Sequence, residues 1–127
     1  MAHLVRISSL NLYLDSFSGL PIIEIPPVDK NVLTGANVTF YCVGFAEPSP
    51  VVTWEKNSET VKASDRIELN LVQGSAKLRI NSVMVEDAAT YACIYRNSYG
   101  EVRRSAVLTV DGQTREIGQF VFQFSCK

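Results

Sequence analysis

Residues 78–93 of the chain are LRINSVMVEDAATYAC, and this stretch decides the fold. Apolar residues alternate at Leu78 and Ile80, and a second alternation follows Asp87 and ends at Cys93. A period of two residues is typical of β-strands. The stretch therefore predicts two strands joined by a tight corner, and the cysteine at its end needs a partner.

The other cysteines lie far from this stretch. Cys42 is 51 positions before Cys93, and Trp54 follows Cys42 by twelve positions. If Cys42 and Cys93 pair, closing a loop of this length stabilises the fold by about 4 kcal/mol. Such a bond persists in an oxidising compartment. Cys126 is then left over, and it is either a reactive thiol, a link between chains or part of a truncated neighbouring domain.

The composition is that of one globular domain with flanks. The chain has 127 residues, of which 46% are hydrophobic and 20% are charged, and its net charge is -1. No strong field therefore attracts nucleic acid or an acidic membrane surface.

Short alternating segments fill the middle of the chain. They cover residues 38–42, 52–54, 67–71 and 104–110, and prolines in residues 22–28 predict a kinked edge strand there. No segment in this region has a helical period. Seven or eight short strands indicate an antiparallel sandwich or barrel. A cysteine in an early strand, a tryptophan and a cysteine in a late strand favour the sandwich.

On these residues, the segment 21–110 resembles an immunoglobulin domain of the intermediate, or I-set, type. The residues that carry the resemblance are Cys42, Trp54, Leu78, Ile80, Val83, Asp87, Ala89, Tyr91 and Cys93. Asn97 to Gly100 also resembles the Asn-x-x-Gly turn of that set. The resemblance implies an all-β, immunoglobulin-like antiparallel β-sandwich whose two sheets are joined by a disulfide between Cys42 and Cys93.

The resemblance also implies two contacts at the corner of the sandwich. The hydroxyl of Tyr91 is expected to bond the backbone near the bend, and Arg66 is expected to pair with Asp87. Two residues depart from the family pattern, since Ala46 stands where a glycine is usual and Gly44 replaces a small apolar residue. The short distance from Trp54 to Leu78 leaves no room for the extra hairpin of a variable domain, so we expect no antigen-receptor function.

The flanks are expected to be less regular than the domain. Polar residues interrupt every apolar run in residues 1–20, which are predicted to be an irregular arm, with a weak signal peptide as the alternative. Residues 111–127 are predicted to be a linker or tail. Their uncharged aromatic run, residues 120–124, has high β propensity and suits the start of a truncated next domain.

The sequence offers little for catalysis. The single histidine, His3, lies in the N-terminal flank, and the cysteines are too far apart for a metal site. There is no glycine-rich phosphate loop, and the carboxylates are dispersed. We therefore expect a protein that is not an enzyme and needs no cofactor or metal.

Because side chains alternate along a strand, the sequence predicts which residues point outward from each sheet. These outward residues suggest which outer face binds a partner. On the sheet of Cys42, polar residues point outward, which predicts a solvated face. On the other sheet, an apolar strip with a polar rim is predicted, and such an arrangement resembles an interface. The proposed binding face comprises Val51, Thr53, Glu55, Ile94, Arg96 and Val107. Its partner is expected to be a protein, with a second copy of the chain as one candidate.

Two further surface features stand as alternatives. Arg96, Arg103 and Arg104 lie close together in sequence and are candidates for weak contact with an anionic glycan, although Glu101 favours a solvated turn. No aromatic platform accompanies them, so nucleic acid is not expected. Asn37-Val38-Thr39 is a glycosylation sequon, and its asparagine is predicted to point outward.

The sequence thus favours a non-catalytic binding module of a larger extracellular or cell-surface protein, acting in adhesion or receptor–ligand recognition. The alternative is a structural spacer domain of an intracellular, titin-like muscle protein in the sarcomere. No stretch of the sequence is apolar enough to span a membrane.

Overall fold

The computed structural model describes residues 18–112, 114–117 and 120–123. Within these residues, nine strands form a sandwich of two sheets. Sheet I has four strands, in the spatial order β1 (Ile22–Ile25), β3 (Val38–Phe45), β7 (Ser75–Ile80) and β6 (Ile67–Val72). Sheet II has five, in the order β2 (Lys30–Leu33), β9 (Gly100–Asp111), β8 (Ala89–Asn97), β4 (Val51–Lys56) and β5 (Glu59–Thr60). A 3-10 helix at Val85–Asp87 joins β7 to β8.

The first strand is shorter than the sequence predicted. The edge strand expected over residues 22–28 ends at Ile25, because Pro26 and Pro27 have no N–H group to donate to sheet I. The chain then crosses to sheet II, where β2 pairs in parallel with β9. The two sheets therefore share the N-terminal segment, and the sandwich is closed along one side.

The core lies between the inward faces of the two sheets. Alternate residues of β3 and β7 are buried, as the period of two predicts. Cys42 and Cys93 form the disulfide that joins the sheets, which confirms the implied pairing. Trp54 is directly opposite Cys93 in the β4–β8 pair and is buried beside it.

The side chain of Tyr95 connects the two sheets away from the bend between β7 and β8. The hydroxyl of Tyr95 on β8 donates to the carbonyl oxygens of Gly74, at 3.0 Å, and Cys42, at 3.3 Å. Its ring occupies the space beside Gly44. A Cβ atom at Gly44 would lie 3.0 Å from this ring and 2.6 Å from the carbonyl oxygen of Ile22. Gly44 therefore departs from the family pattern for a steric reason, because Tyr95 and β1 occupy the space that a side chain at this position would need.

The chain enters and leaves the sandwich at opposite poles. At the N-terminal pole, the amide of Gly19 donates to Glu47, and Asn97 donates to the carbonyl oxygen of Gly19 at 2.8 Å. At the C-terminal pole, the amide of Thr34 donates to the carbonyl oxygen of Asp111. Since β9 runs from one pole to the other, the domain suits insertion in series along a longer chain.

After the sandwich the chain forms a hairpin. Strand β10 (Thr114–Ile117) pairs antiparallel with β11 (Phe120–Gln123), and these two strands make a separate sheet. The predicted tail thus contains regular structure, while the boundaries of flank, domain and tail stay predictions. His3, Cys126 and the signal-peptide alternative for residues 1–20 involve positions outside the described residues, apart from residues 18–20.

Candidate protein-binding surface

The corner residues implied by the resemblance lie together at one edge of the sandwich. Arg66 makes a two-pronged ion pair with Asp87, with N–O distances of 2.9 and 3.1 Å. The amide of Met84 donates to the same carboxylate at 2.7 Å, and the hydroxyl of Tyr91 donates to the carbonyl oxygen of Asp87 at 2.7 Å. These groups hold the bend between β7 and β8, so they stabilise the fold and offer little to a partner.

The surroundings of Asp87 and Tyr91 shift the pKa values of both side chains. Burial alone would raise the pKa of Asp87, but the bonds from Arg66 and Met84 outweigh burial and lower it. Burial, followed by the charge of Asp87, raises the pKa of Tyr91. Asp87 is therefore ionised and Tyr91 is a neutral hydrogen-bond donor at neutral pH.

The outer face of sheet II carries a network of four charged side chains. Arg103 on β9 pairs with Glu55 on β4 at 3.0 Å and with Glu101 at 3.3 Å. Glu101 also pairs with Arg96 at 2.6 Å. Hydrogen bonds from Arg96 and Arg103 lower the pKa of Glu101, and the bond to Glu55 raises that of Arg103. The network contains two positive and two negative groups, so it is neutral.

This network changes the interpretation of the predicted binding face. Strand β8 lies between β4 and β9, so the Glu55–Arg103 pair crosses over β8. Beneath it, Ile94 is only 1% exposed and Ala92 is also buried. The prediction that Ile94 forms an exposed apolar strip is therefore wrong. The outward side of β8 is covered by the stems of charged side chains, which shield apolar surface while their heads stay in water.

The remaining members of that face are not brought together. Val51 is opposite Arg96, whereas Val107 is opposite Thr90, so the two exposed valines lie six residues apart along β8. Thr53 and Glu55 are half-buried. Without Ile94 between them, these positions form no continuous apolar strip.

The arginines proposed to contact an anionic glycan are also separated. Arg96 and Arg103 are both paired with carboxylates. Arg104 is exposed, but it follows Arg103 directly in β9 and so projects to the opposite side of the strand. The structure therefore does not assemble the three as one free cationic patch.

The outer face of sheet I was predicted to be solvated, and it is divided into two halves. Toward the C-terminal pole it is polar, where Arg79 donates to Asn81 and Asn81 donates to Glu68. Toward the N-terminal pole it is apolar. We call this part the apolar half, and its exposed members are Ile22, Ile25, Tyr41, Phe45 and Val72.

The sequence of β3 itself contains a signal for the apolar half. Continuing the outward positions of β3 beyond Tyr41 leads to Val43 and Phe45. Phe45 pairs with Ile22 on β1, and Ile25 pairs with Val43 after a bulge. These residues form a patch because neighbouring strands pair, and the sequence of one strand alone does not show which strand it pairs with.

A groove adjoins the apolar half at the open edge between β4 and β6. It has a volume of about 310 Å³, and apolar side chains dominate its walls. Val51 stands on one wall, and Leu71 and Val72 stand on the other, all three exposed. Leu71 is on the inward face of β6 opposite Ala76, yet it is 52% exposed because no other strand of the described residues lies beside β6.

The sequon asparagine lies at the polar end of sheet I. Asn37 is exposed, and its Oδ1 accepts a hydrogen bond from the amide of Ser82 at 3.0 Å. Glycosylation at this residue stays a prediction. The described part of the chain contains no helix long and apolar enough to cross a membrane. It also contains no group of three side chains suited to hold a metal ion.

The topology, the buried disulfide between the sheets and the tyrosine at the corner define an immunoglobulin-like domain. The family model described as the Immunoglobulin I-set domain matches residues 21–110, so the chain belongs to the I-set family. Both findings confirm the resemblance and the fold class inferred from the sequence.

Curated relatives are much longer than this chain. Hemicentin-1 from Homo sapiens is 36% identical over 85 residues, which are 67% of this chain and 2% of that protein. Protein sidekick-1 from Homo sapiens is 32% identical over 103 residues, or 80% of this chain and 5% of the relative. Muscle M-line assembly protein unc-89 from Caenorhabditis elegans is 37% identical over 83 residues, or 65% and 1%. The chain thus spans a few per cent of each relative.

Solved structures of similar fold include titin domains. A structure of the titin M10–obscurin like 1 Ig complex superposes with a TM-score of 0.67 at 33% identity, covering 71% of this chain and 92% of the other. Titin M4 has a TM-score of 0.71 at 25% identity, covering 76% and 100%. Each matched chain corresponds to about one domain.

Proposed function

We propose that this domain is a non-catalytic protein-binding module of an extracellular or cell-surface protein, acting in adhesion or receptor–ligand recognition. The observation that carries the proposal is the apolar half of sheet I. Its side chains, among them Tyr41, Phe45 and Ile25, are about half exposed although the core is complete without them. Contiguous apolar surface of this kind marks interaction sites in proteins.

The surroundings of the apolar half suit a protein partner. Polar groups border it on the same sheet, including Lys77 and the Arg79–Asn81–Glu68 chain of hydrogen bonds. Protein interfaces have an apolar centre and a polar rim. The outer face of sheet II lacks such a centre, since Ile94 is covered by the Glu55–Arg103 pair. The binding surface is therefore assigned to sheet I.

Two features support the extracellular location. The disulfide between Cys42 and Cys93 lies in the core, and such bonds persist in oxidising compartments. The sequon at Asn37 is exposed on the polar half of sheet I, away from the apolar half. A glycan there would leave the proposed binding surface open.

A structural spacer in an intracellular muscle protein is the second candidate. The chain enters and leaves at opposite poles, as a domain in a linear array requires. Similarity to a muscle M-line assembly protein and to titin domains favours the same role. In that role the cysteines would be reduced, since the cytosol keeps thiols in that state.

The binding surface is tested with two variants matched in exposure. Phe45 and Val107 are both 45% exposed, but they lie on the outer faces of different sheets. Beads carrying the full chain are incubated with cells, and bound beads are counted. We expect Phe45→Lys to reduce binding at least tenfold and Val107→Lys to leave it unchanged. Equal binding by both variants, with unchanged melting temperatures, would refute the assignment.

The location is tested separately. Protein isolated from its own cells is alkylated without reduction and analysed by mass spectrometry. The extracellular proposal predicts that Cys42 and Cys93 resist alkylation. If both cysteines are alkylated and Asn37 carries no glycan, the spacer proposal replaces it.

A further inference from the structure

The open edge of sheet I presents unused backbone groups beside the apolar groove. Strand β6 pairs with β7 through the two-residue turn Gln73–Gly74, and Val72 is opposite Ser75 next to this turn. A pair that closes a two-residue turn exchanges hydrogen bonds, and the pattern then alternates along an antiparallel ladder. The N–H and C=O groups of Leu69 and Leu71 therefore point to the open side of β6.

The part of this edge that follows Glu68 has little protection. Natural edge strands usually carry lysine, proline or a bulge that prevents pairing with another chain. Residues 69–72 of β6 are LNLV, without charge or proline, and their pairing with β7 has no bulge. The groove between β6 and β4 continues the same surface with Pro50, Val51 and Leu71. An extended segment added to β6 would gain hydrogen bonds and a place for alternate apolar side chains.

The chain itself contains a segment of matching chemistry. Strand β11 has the sequence FVFQ, which is uncharged and rich in residues with high β propensity. Among the described residues its sheet contains β10 and β11 alone, so within them β11 has one unpaired edge. An isolated two-stranded hairpin is marginally stable in water and gains stability from additional strands. Both β11 and the 69–72 segment are four residues long.

The hairpin is too short to reach the groove of its own chain. The groove lies at the N-terminal pole, since Val51 is opposite Arg96, which in turn is opposite Glu101. From Glu101 to Asp111, β9 extends about 33 Å toward the other pole, at about 3.3 Å per residue. From Asp111 the hairpin extends at most about 23 Å before β11 turns back. The matching groove is therefore that of another molecule.

We propose that β11 of one molecule adds to the free edge of β6 in a second copy of this chain, beside the groove. The inference rests on the proposed function and specifies a homophilic partner for the edge of sheet I. The hairpin follows the C-terminal pole and the groove lies at the N-terminal pole. The contact is therefore head-to-tail, and contacts of this kind produce open-ended chains unless the rotation closes a ring.

The experiment uses complementary variants of the full chain, with free thiols alkylated so that Cys126 forms no bond between molecules. Leu71→Lys places a charge in the groove and leaves the hairpin intact. A double variant, Val121→Lys with Phe122→Lys, places two charges in β11 and leaves the groove intact. Val28→Lys, at another exposed apolar position, is the control.

Sedimentation velocity measures the mass at increasing protein concentration. We expect the wild type and Val28→Lys to exceed twice the monomer mass of 14.1 kDa without a plateau. Leu71→Lys and the double variant should each stay monomeric. An equimolar mixture of the two should form a dimer and stop there, because only one groove and one hairpin remain in each pair.

Other outcomes overturn the proposal. Assembly of Leu71→Lys alone would indicate contact between hairpins, and a mixture that stays monomeric would exclude the strand–groove contact. A monomeric wild type at millimolar concentration would have the same consequence. Val72→Lys, on the outward side of β6, replaces Leu71→Lys if that variant fails to fold by circular dichroism. Binding to cells through Phe45 is measured at concentrations where the chain is monomeric, so the proposed function can survive when self-assembly fails.

Discussion

Replacing Asp87 by asparagine tests the corner of the sandwich. The carboxylate accepts three hydrogen bonds, two from Arg66 and one from the amide of Met84. Asparagine has nearly the same shape, but it removes the charge and turns a donor toward Arg66. Removing one partner of a buried ion pair costs about 3–5 kcal/mol. Because the Arg66 side chain is 30% exposed, we expect about 2–3 kcal/mol here.

Chemical denaturation at pH 7 measures this loss, which corresponds to a decrease of about 10–20 °C in the melting temperature of a domain of this size. Asp65→Asn is the matched control, since Asp65 is exposed on the approach to β6 and the same substitution removes the same charge. We expect the control to change stability by less than about 0.5 kcal/mol. An equally small change for Asp87→Asn, with the disulfide intact, would refute the assignment of the corner as a main stabilising contact.

The pH dependence gives an independent check of the same contact. The folded-state pKa of Asp87 is lowered, so its contribution is present above the unfolded value of about 3.9 and is lost as the pH falls through the folded value. The stability difference between wild type and Asp87→Asn should therefore be constant from pH 5 to 7 and shrink below pH 4. A difference that stays constant down to pH 2 would show that the charge is not responsible.

Two further predictions concern the core. Cys93→Ala removes the link between the sheets and should lower the free energy of unfolding by about 2–5 kcal/mol, measured by urea denaturation without reductant. A loss below about 1 kcal/mol would contradict the stabilising role of the disulfide. Gly44→Ala should destabilise by about 1–3 kcal/mol, since the new Cβ meets the carbonyl of Ile22 and the ring of Tyr95. Tyr95→Leu in the same chain should relieve the part of this strain that the Tyr95 ring causes, and strictly additive losses would exclude the contribution of that ring.

Much of the fold was predictable because its signals are local. The alternation at Leu78 and Ile80 predicted a face that is buried in the structure, and the spacing of Cys42, Trp54 and Cys93 favoured the sandwich that the structure forms. The end of the first strand was harder to predict from the sequence. Pro26 and Pro27 predicted a kink, but the transfer of the chain from sheet I to sheet II depends on the parallel pairing of β2 with β9.

The candidate site was predicted less well, because exposure depends on distant neighbours. The alternation of side chains placed Ile94 on the outward side of sheet II, and that placement is correct. Ile94 is buried because the side chains of Glu55 and Arg103 form an ion pair above β8, although these two residues are 48 positions apart in the sequence. Tyr41 is on the outward side of β3, but its apolar neighbours Ile22 and Phe45 become a patch only when β1 and β3 pair.

The sequence by itself determined which residues of this protein face inward, since side chains alternate along each strand whatever the partners are. Alternation therefore placed Val38, Phe40 and Cys42 on one apolar face, whereas the corner position of Tyr91 was implied by the resemblance to an I-set domain. Only the tertiary structure decided which outward residues meet solvent, because that depends on side chains from other strands. It covered Ile94 on sheet II and brought Tyr41, Phe45 and Ile22 together as an exposed patch on sheet I, and this difference moved the proposed binding surface from sheet II to sheet I.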